Sequence, residues 1–266
     1  MTETGRREDT SGDPCCGIAV MAKASVPGRA KTRLVPPLTA NEAAELNTAF
    51  LKDVVENIAA AAQDASIRGY VAFGPPETAP FFKTTLPASI ELIDAWYPNF
   101  GDCLFAAVKQ VLDQGHGSAV VLNSDSPTLP TALLVAAAQF LSRPGDRAVL
   151  GPARDGGYYL LGLKSPHRRL FEDVAWSTEH VAAQTLARAA EIGLEVHVLP
   201  DWYDVDDAAS LRQLHQDLEG GPRSIATLKP YAALHSRQLL GELLKKTDLR
   251  LRLNLAPGPE LERAAE

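Results

Sequence analysis

The stretch Ala119-Val-Val-Leu-Asn-Ser-Asp-Ser-Pro-Thr-Leu-Pro130 decides the fold of this chain. Its apolar beginning runs into a polar loop with two prolines, and a helical pattern of apolar residues follows from Thr131 to Leu141. This order is typical of a buried strand that leads through a loop into a helix. An apolar run at Ile18 to Ala22 ends in the same way, at Ser25-Val-Pro-Gly-Arg29. Strands that alternate with helices predict right-handed crossovers and a mostly parallel sheet with helices on both faces.

The other elements are predicted from similar patterns. Thr39-Ala-Asn-Glu42 has the form of a capping box and precedes a long apolar stripe, which predicts an amphipathic helix running past Ile58. Two strand candidates, Ala148 to Gly151 and Tyr158 to Leu163, are joined by a link too short for a helical crossover, so a mixed sheet is expected. Further strands are predicted at 69–73, 90–93 and 194–199, and further helices at about 101–112, 178–192, 207–218 and 231–245.

The domain organisation follows from length and composition. Residues 16–220 are predicted to form one α/β domain of three layers with its own core. Residues 1–15 mix both signs of charge without an apolar pattern and are predicted to be a disordered tail. Because Gly220-Gly-Pro222 interrupts the chain, residues 221–266 are predicted to be a C-terminal helical extension.

Charge and cysteine usage limit the possible partners. The chain has 26 Lys+Arg against 33 Asp+Glu, a net charge of −7, which argues against nucleic acid and anionic membranes as partners. Three cysteines build neither a disulfide framework nor a metal knuckle, and no stretch fits a signal peptide or a membrane span. A cytoplasmic location is therefore expected, and the oligomeric state stays open.

The loop after the first predicted strand, residues 23–33, is rich in positive charge and is called the basic loop below. No acidic residue occurs from Met21 to Ala40, whereas the basic loop holds four cations: Lys23, Arg29, Lys31 and Arg33. Guanidinium and ammonium groups at a strand end suit a nucleotide's phosphates, although an exposed basic loop would have the same composition. Neither a Walker A loop nor a Gly-x-Gly-x-x-Gly fingerprint is present.

Carboxylates follow two other predicted strands. Asp125 follows the strand at 119–123, where an acidic group calls for a partner such as Mg²⁺. Ser124 beside it is predicted to contact the nucleotide. Asp206 is the preferred inward-facing carboxylate of the acidic stretch Asp201 to Asp207. The alternatives are that Asp125 or Ser124 caps a helix, that Asp207 caps the next helix, and that the remaining acids form a solvated turn.

A third loop has paired glycines. Asp155-Gly-Gly-Tyr158 permits a tight turn and a close approach of backbone to a ligand, but a simple hairpin needs the same residues. Trp176 and Ser177 could line a pocket; Trp176 equally fits the core, and Ser177 is predicted to cap a helix.

Taken in order, these stretches resemble a bacterial family of GT-A-like transferases with a formerly unassigned domain, whose members are commonly labelled glycosyltransferases. The family is similar to the 2-phospho-lactate guanylyltransferases and, more distantly, to the molybdenum-cofactor nucleotidyltransferases. The resemblance spans about residues 17–220 and is carried by 21–24, 27–34, 123–129, 151–162, 176–178 and 204–207.

The resemblance implies a GT-A-like, Rossmann-like fold and a transferase that uses a nucleotide or nucleotide sugar, a small-molecule acceptor and Mg²⁺ or Mn²⁺. By position, it implies nucleotide contacts at Lys23, Lys31 and Arg33, and metal ligands at Asp125 and Asp206. It also places Gly156, Gly157 and Tyr158 toward the acceptor or sugar. The chain has Asp125-Ser-Pro127 where glycosyltransferases usually have Asp-x-Asp.

Three functions fit these residues. In glycosyl transfer, metal and cations stabilise a departing nucleoside diphosphate; in nucleotidyl transfer, they stabilise the α-phosphate and departing pyrophosphate. In both reactions Lys31 and Asp125 would be catalytic. Glycosyl transfer is the first expectation, nucleotidyl transfer the second, and a non-catalytic nucleotide-binding module the third.

Overall fold

The computed structural model describes residues 15–220 and 228–255, and its centre is one seven-stranded sheet. The strands stand in the order β3-β2-β1-β4-β6-β5-β7, and β6 runs antiparallel to both of its neighbours while all other pairings are parallel. Their bounds are β1 Cys16–Ala22, β2 Ile67–Phe73, β3 Glu91–Asp94, β4 Ser118–Asn123, β5 Arg147–Pro152, β6 Tyr158–Leu163 and β7 Glu195–Val198.

Helices cover both faces of this sheet. They are α1 Ala40–Ala61, α2 Ala79–Thr85, α3 Phe100–Asp113, α4 Thr131–Ser142, α5 Val181–Glu191, α6 Ala208–Leu218, α7 Leu234–Lys246 and α8 Leu249–Arg252. One apolar core joins the sheet to α1, α4, α6 and α7, and a second core on the other face joins it to α3 and α5. Within the described residues, no helix combines the length and apolar character needed to cross a bilayer.

The three-layer α/β fold with a mixed, mostly parallel sheet is confirmed. The strand Tyr158–Leu163 has the predicted bounds, and Thr39 and Glu42 form the predicted capping box at α1. The prediction that Ser177 caps a helix is wrong: α5 begins at Val181, and Ser177 has a positive φ of 66°. The short helices α2 and α8 were not predicted.

The described part of the C-terminal extension packs on α1. The buried Asp53 carboxylate accepts hydrogen bonds from the backbone of His235 (2.9 Å) and Ser236 (2.8 Å) at the start of α7. Leu249 and Leu253 are fully buried in the core that includes α1. The domain boundaries stay predictions, because residues 1–14, 221–227 and 256–266 lie outside the described residues.

The sheet topology places several predicted loops at one edge. All strands except β6 run in the same direction, so β1, β4 and β7 end at the same edge, and the turn from β5 into β6 lies there too. Ligands of open α/β sheets bind at this edge. The basic loop and the acidic stretches at 125 and 201–207 therefore converge from distant parts of the sequence.

Candidate active site

Three charged side chains at this edge form a compact group, which we call the lysine clamp: Lys31, Asp125 and Asp206. The Lys31 Nζ lies 2.8 Å from Asp125 Oδ1 and 2.7 Å from Asp206 Oδ1, and it donates to the carbonyl oxygen of Val205 at 2.9 Å. The Lys31 side chain is only 5% exposed. Two carboxylates from separate loops thus converge on one buried cation.

The backbone around the clamp fixes its geometry. Lys31 has φ 51° and ψ 42°, a left-handed conformation that is unfavourable for a side-chain-bearing residue and persists only where the surroundings impose it. The backbone of Val205 donates to the Asp125 carbonyl oxygen at 2.9 Å, which joins the loops after β4 and β7. Burial disfavours the charged form of Lys31, but the two carboxylates outweigh burial and raise the pKa of Lys31 above its ordinary value.

The N-terminal caps of α4 and α6 show which aspartates cap helices. The Asp207 carboxylate accepts from Ser210 N at 2.8 Å and caps α6, which leaves Asp206 to Lys31. Helix α4 has Pro130 at its N-cap and no side-chain cap, so neither Asp125 nor Ser124 caps it. Asp125 instead pairs with Lys31.

A cavity of about 600 Å³ opens beside the lysine clamp. It brings together all five predicted nucleotide-binding residues with Asp125, Asp206 and Ser177; the five are Lys23, Arg29, Lys31, Arg33 and Ser124. Arg33 also pairs with Asp206 from the exposed side. The basic loop thus borders a cavity of a size that accommodates a small-molecule ligand.

Aromatic side chains also line the cavity, and sequence reasoning missed them. We call Trp96, Tyr97 and Phe100 the aromatic shelf; they line the cavity and are 51%, 47% and 47% exposed. The available signal was Trp96-Tyr-Pro-Asn-Phe100 directly after a predicted strand. Large aromatic rings that stay exposed beside a charged pocket mark a binding surface.

Neighbouring residues hold the aromatic shelf in place. A Cβ atom on Gly74 would lie 2.6 Å from the Trp96 ring, so the ring packs directly against this glycine. The Cys103 thiol accepts from the backbone N–H of Tyr97 at 3.3 Å and lies 3.4 Å from its carbonyl oxygen. Phe100 packs edge-on against Trp176 with ring centroids 5.6 Å apart. The shelf is therefore formed before any ligand binds.

The carboxylates in and beside the lysine clamp suit a divalent cation. Burial, followed by the charges of Asp206, Asp155 and Asp125, raises the pKa of Asp204 to about 6. The Asn123 side-chain oxygen, at the end of β4 and on the cavity wall, is buried without a partner. Carboxylate and amide oxygens are the ligands that Mg²⁺ and Mn²⁺ prefer, and Lys31 already places one cation between Asp125 and Asp206.

Most of the predicted acceptor residues lie outside this cavity. Asp155 accepts from Gly157 N at 2.9 Å within the β5–β6 turn, and Gly156 packs against the backbone of Glu179. The Tyr158 hydroxyl is buried without a hydrogen-bond partner. Trp176 lines a second cavity of about 640 Å³. Of this group the structure brings only Ser177 to the lysine clamp's cavity.

A separate acidic group lies elsewhere in the described part of the chain. There, the one set of three side chains close enough to share an ion is Asp53, Glu56 and His235. The oxygens of Asp53 already accept from the start of α7, so this group is accounted for by the docking of that helix.

Comparison with known proteins adds a family and a fold. Residues 57–178 match the profile of a family described as "Uncharacterized protein conserved in bacteria (DUF2064)". This match covers just under half of the chain. The matched residues include Asp125 and Trp176 and exclude Lys31 and Asp206. No curated protein matches the chain.

Among solved structures, a protein of Desulfovibrio desulfuricans G20 is similar to this chain with a TM-score of 0.74 and 26% identity. The match covers 89% of this chain and 97% of that one, whose assignment as a nucleotide-diphospho-sugar transferase is provisional. The resemblance to a bacterial family of GT-A-like fold is thereby confirmed.

Two further likenesses are weaker. A CMP:2-keto-3-deoxy-manno-octonic acid synthetase complexed with CTP has a TM-score of 0.49 and 13% identity, over 77% of this chain and 99% of that one. A cytidylyltransferase of Leptospira borgpetersenii has a TM-score of 0.49 and 10% identity, over 91% of this chain and 98% of that one.

Proposed function

We propose that this protein is a metal-dependent transferase that uses a nucleotide-activated donor, and that it transfers a glycosyl group from a nucleotide-diphospho-sugar. One observation carries the proposal: a single cavity is lined both by the lysine clamp with the basic loop and by the aromatic shelf. A nucleoside diphosphate has the matching division into anionic and flat aromatic parts. The likeness to the Desulfovibrio protein supports the same class of donor.

The basic loop binds the diphosphate in this proposal. Arg29 and Arg33 offer guanidinium groups, and Lys23 and Lys31 offer ammonium groups, all on the cavity wall. Charge-assisted hydrogen bonds of this kind are the stronger ones in proteins, and they stabilise the charge that develops on a departing diphosphate. The donor's base lies on the aromatic shelf, because base–aromatic stacking is favourable for every base.

Asp125 and Asp206 would hold Mg²⁺ or Mn²⁺. The ion supplies Lewis-acid stabilisation of the diphosphate oxygens. Because the Lys31 ammonium already lies between these two carboxylates, Lys31 turns from them toward the phosphates when the donor complex forms. Lys31 and Asp125 are then the groups of the clamp that meet the reacting end of the donor.

The acceptor enters from the β5–β6 side of the clamp in this proposal. Asp155 is close enough to raise the pKa of Asp204, and Ser177 lies on the cavity wall. Gly156, Gly157, Tyr158 and Trp176 do not line this cavity, so no acceptor contact is proposed for them. The acceptor is a small molecule.

The basic loop also favours a second candidate function, nucleotidyl transfer. The four cations that line the cavity also suit a nucleoside triphosphate, from which pyrophosphate would leave.

One experiment separates the candidates. The protein is incubated with Mn²⁺ and a panel of nucleotide sugars, and separately with the four nucleoside triphosphates and small phosphorylated acceptors. Release of nucleoside diphosphate and of pyrophosphate is measured. We expect slow, metal-dependent release of nucleoside diphosphate from one nucleotide sugar even without an acceptor, because water replaces the acceptor hydroxyl.

The Asp125→Asn variant is the control for contaminating activity and must be inactive in the same assay. Pyrophosphate release from one triphosphate, with every nucleotide sugar inert, would replace the leading proposal by nucleotidyl transfer. If both panels are inert while nucleotides bind in a metal-dependent way, the protein is a nucleotide-binding module.

A further inference from the structure

The C-terminal extension reaches the segment that carries the basic loop into α1, and Arg252 makes the contact. Its guanidinium donates to both oxygens of the Glu42 carboxylate, with Nη1 2.9 Å from Oε2 and Nη2 2.9 Å from Oε1. Nη1 also donates to the carbonyl oxygen of Pro37. A two-pronged pair with a carboxylate fixes orientation as well as distance.

Glu42 is itself a structural residue of this segment. Its carboxylate accepts from the backbone N–H of Thr39 at 2.7 Å, which closes the capping box of α1. The hydrogen bond from Arg252 is the largest of the causes that lower the pKa of Glu42, so its carboxylate is charged at neutral pH. Arg252 thus binds the first turn of α1 and the residues before it at the same time.

Backbone hydrogen bonds connect this contact to the lysine clamp. Leu38 N donates to Leu34 O at 2.8 Å, and Leu34 N donates to Lys31 O at 2.9 Å. Residues 31–38 are therefore a run of tight turns whose far end is held by Arg252 through Pro37. Because Lys31 has an unfavourable left-handed backbone, its position depends on such external restraint.

The arginine is itself well anchored. Its Nε donates to Asp248 Oδ1 at 2.7 Å, and Leu249 and Leu253, which flank it, are fully buried. The Leu253 carbonyl oxygen accepts from Arg212 Nε of α6 at 2.8 Å. These contacts therefore hold the Arg252 guanidinium in a defined position on the domain.

We propose that Arg252 is a positioning residue, which holds the segment 31–38 so that Lys31 and the basic loop are pre-organised for phosphate. The effect on phosphate rests on the proposed function, whereas the effect on the segment does not. The extension is then part of the phosphate-binding apparatus although it contributes no residue to the cavity.

Two measurements test this inference on the full chain. The first is backbone hydrogen exchange in the segment 28–38, followed by mass spectrometry without any ligand. The second is the affinity for inorganic pyrophosphate with Mn²⁺, by calorimetry. The variants are Arg252→Met, which removes the charge and keeps most of the stem, and Arg252→Lys, which keeps the charge without the fork.

Lys246→Met is the matched control, because Lys246 lies in the same extension and pairs with Glu242 at 2.9 Å across the surface of α7. We expect faster exchange in 28–38 for Arg252→Met. We also expect its affinity for pyrophosphate to be about tenfold weaker, which is the lower end of the usual loss when a residue that orients ligand-binding groups is removed. Arg252→Lys should lie in between, and Lys246→Met should match the parent.

Unchanged exchange in 28–38 for both Arg252 variants would overturn the inference. So would faster exchange spread evenly over the domain in Arg252→Lys, the milder variant, because that indicates general destabilisation. If the parent fails to bind pyrophosphate while the segment still loosens in Arg252→Met, the positioning stands and the proposed phosphate site falls.

Discussion

Asp125 combines two roles at the residue scale: it pairs with a buried ammonium and is a proposed metal ligand. We expect Asp125→Asn to abolish metal-dependent nucleotide binding. Folding should change little, because Asp206 and the Val205 carbonyl oxygen still accept from Lys31 and the amide oxygen of Asn replaces one acceptor. Calorimetric titration with nucleoside diphosphates and Mn²⁺ measures the effect.

The control is Asp113→Asn, which removes a surface carboxylate paired with Lys109. Equal metal-dependent affinities in parent and Asp125→Asn would exclude Asp125 as a ligand.

Trp96 offers a separate test of the aromatic shelf. Trp96→Ala removes a ring that is 51% exposed, so the domain should remain folded. Affinity for nucleoside diphosphates should fall by about 1–3 kcal/mol, the usual loss of one stacked base, whereas affinity for inorganic pyrophosphate should not change. A loss of both affinities in a calorimetric titration would indicate that the variant disturbs the basic loop instead.

Asp204 gives the site a pH dependence. Its ordinary pKa of 3.8 is raised to about 6 in the folded protein, by burial first and by neighbouring carboxylates next. The folded state therefore holds this proton more tightly than the unfolded state, and the free energy of unfolding falls as the pH rises from about 4 to about 6.

Asp204→Asn mimics the protonated form, so it should stabilise the metal-free protein at pH 7 by about 1–2 kcal/mol, since solvent screening reduces the full effect. Near pH 3.5 the two proteins should be alike. Urea unfolding with a chelator present measures both values, with Asp113→Asn as the control. Equal stabilities at pH 7 would contradict the assignment.

The charged residues of the site could be predicted, whereas the aromatic shelf could not. Lys31, Asp125 and Asp206 lie in loops that follow apolar runs, and the strand-end rule then places them at one edge. Trp96 and Tyr97 also follow a strand, but aromatic residues are equally common in cores. The exposure of these two rings depends on Gly74, which is distant in the sequence, and on Cys103, which no sequence pattern marks.

At the scale of elements, the β5–β6 turn supports the segment before α5. Gly156 has φ +90°, and an added Cβ would lie 2.1 Å from the Glu179 carbonyl oxygen. We expect Gly156→Ala to lower the free energy of unfolding by about 2 kcal/mol or more, from backbone strain and the clash together.

Gly115→Ala is the control, because Gly115 has φ +91° with nothing near its Cβ position. It should therefore cost only the strain. Urea unfolding measures the loss of unfolding free energy in each variant. Equal losses would show that the turn moves away from Glu179 at little cost.

The prediction of elements succeeded where burial leaves a simple pattern. Buried strands such as Cys16–Ala22 and Ser118–Asn123 have near-continuous apolar runs, as expected of parallel strands covered on both faces. Helix α2 was missed because it is only seven residues long, contains Pro80 and buries Phe82 alone. The pairing of α7 with α1 depends on Asp53, and nothing in the sequence indicates that contact.

At the scale of the whole molecule, the N-terminal tail gives a simple prediction. Deletion of residues 1–14 should leave the melting temperature and nucleotide affinity unchanged, because these residues have no apolar pattern to bury. Cys15 is retained because its carbonyl oxygen accepts from Gly117 N at 3.0 Å. Calorimetric melting of the two chains tests this, and a clear fall in melting temperature would show that the tail docks on the domain.

The ammonium between Asp125 and Asp206 also has a thermodynamic consequence. A divalent ion that enters there competes with a cation tethered to the protein itself, so the empty protein should bind metal weakly. A phosphate that draws Lys31 away removes the competitor and raises the affinity for metal. By linkage, the metal must then raise the affinity for phosphate by the same factor, so donor and metal bind as a cooperative pair.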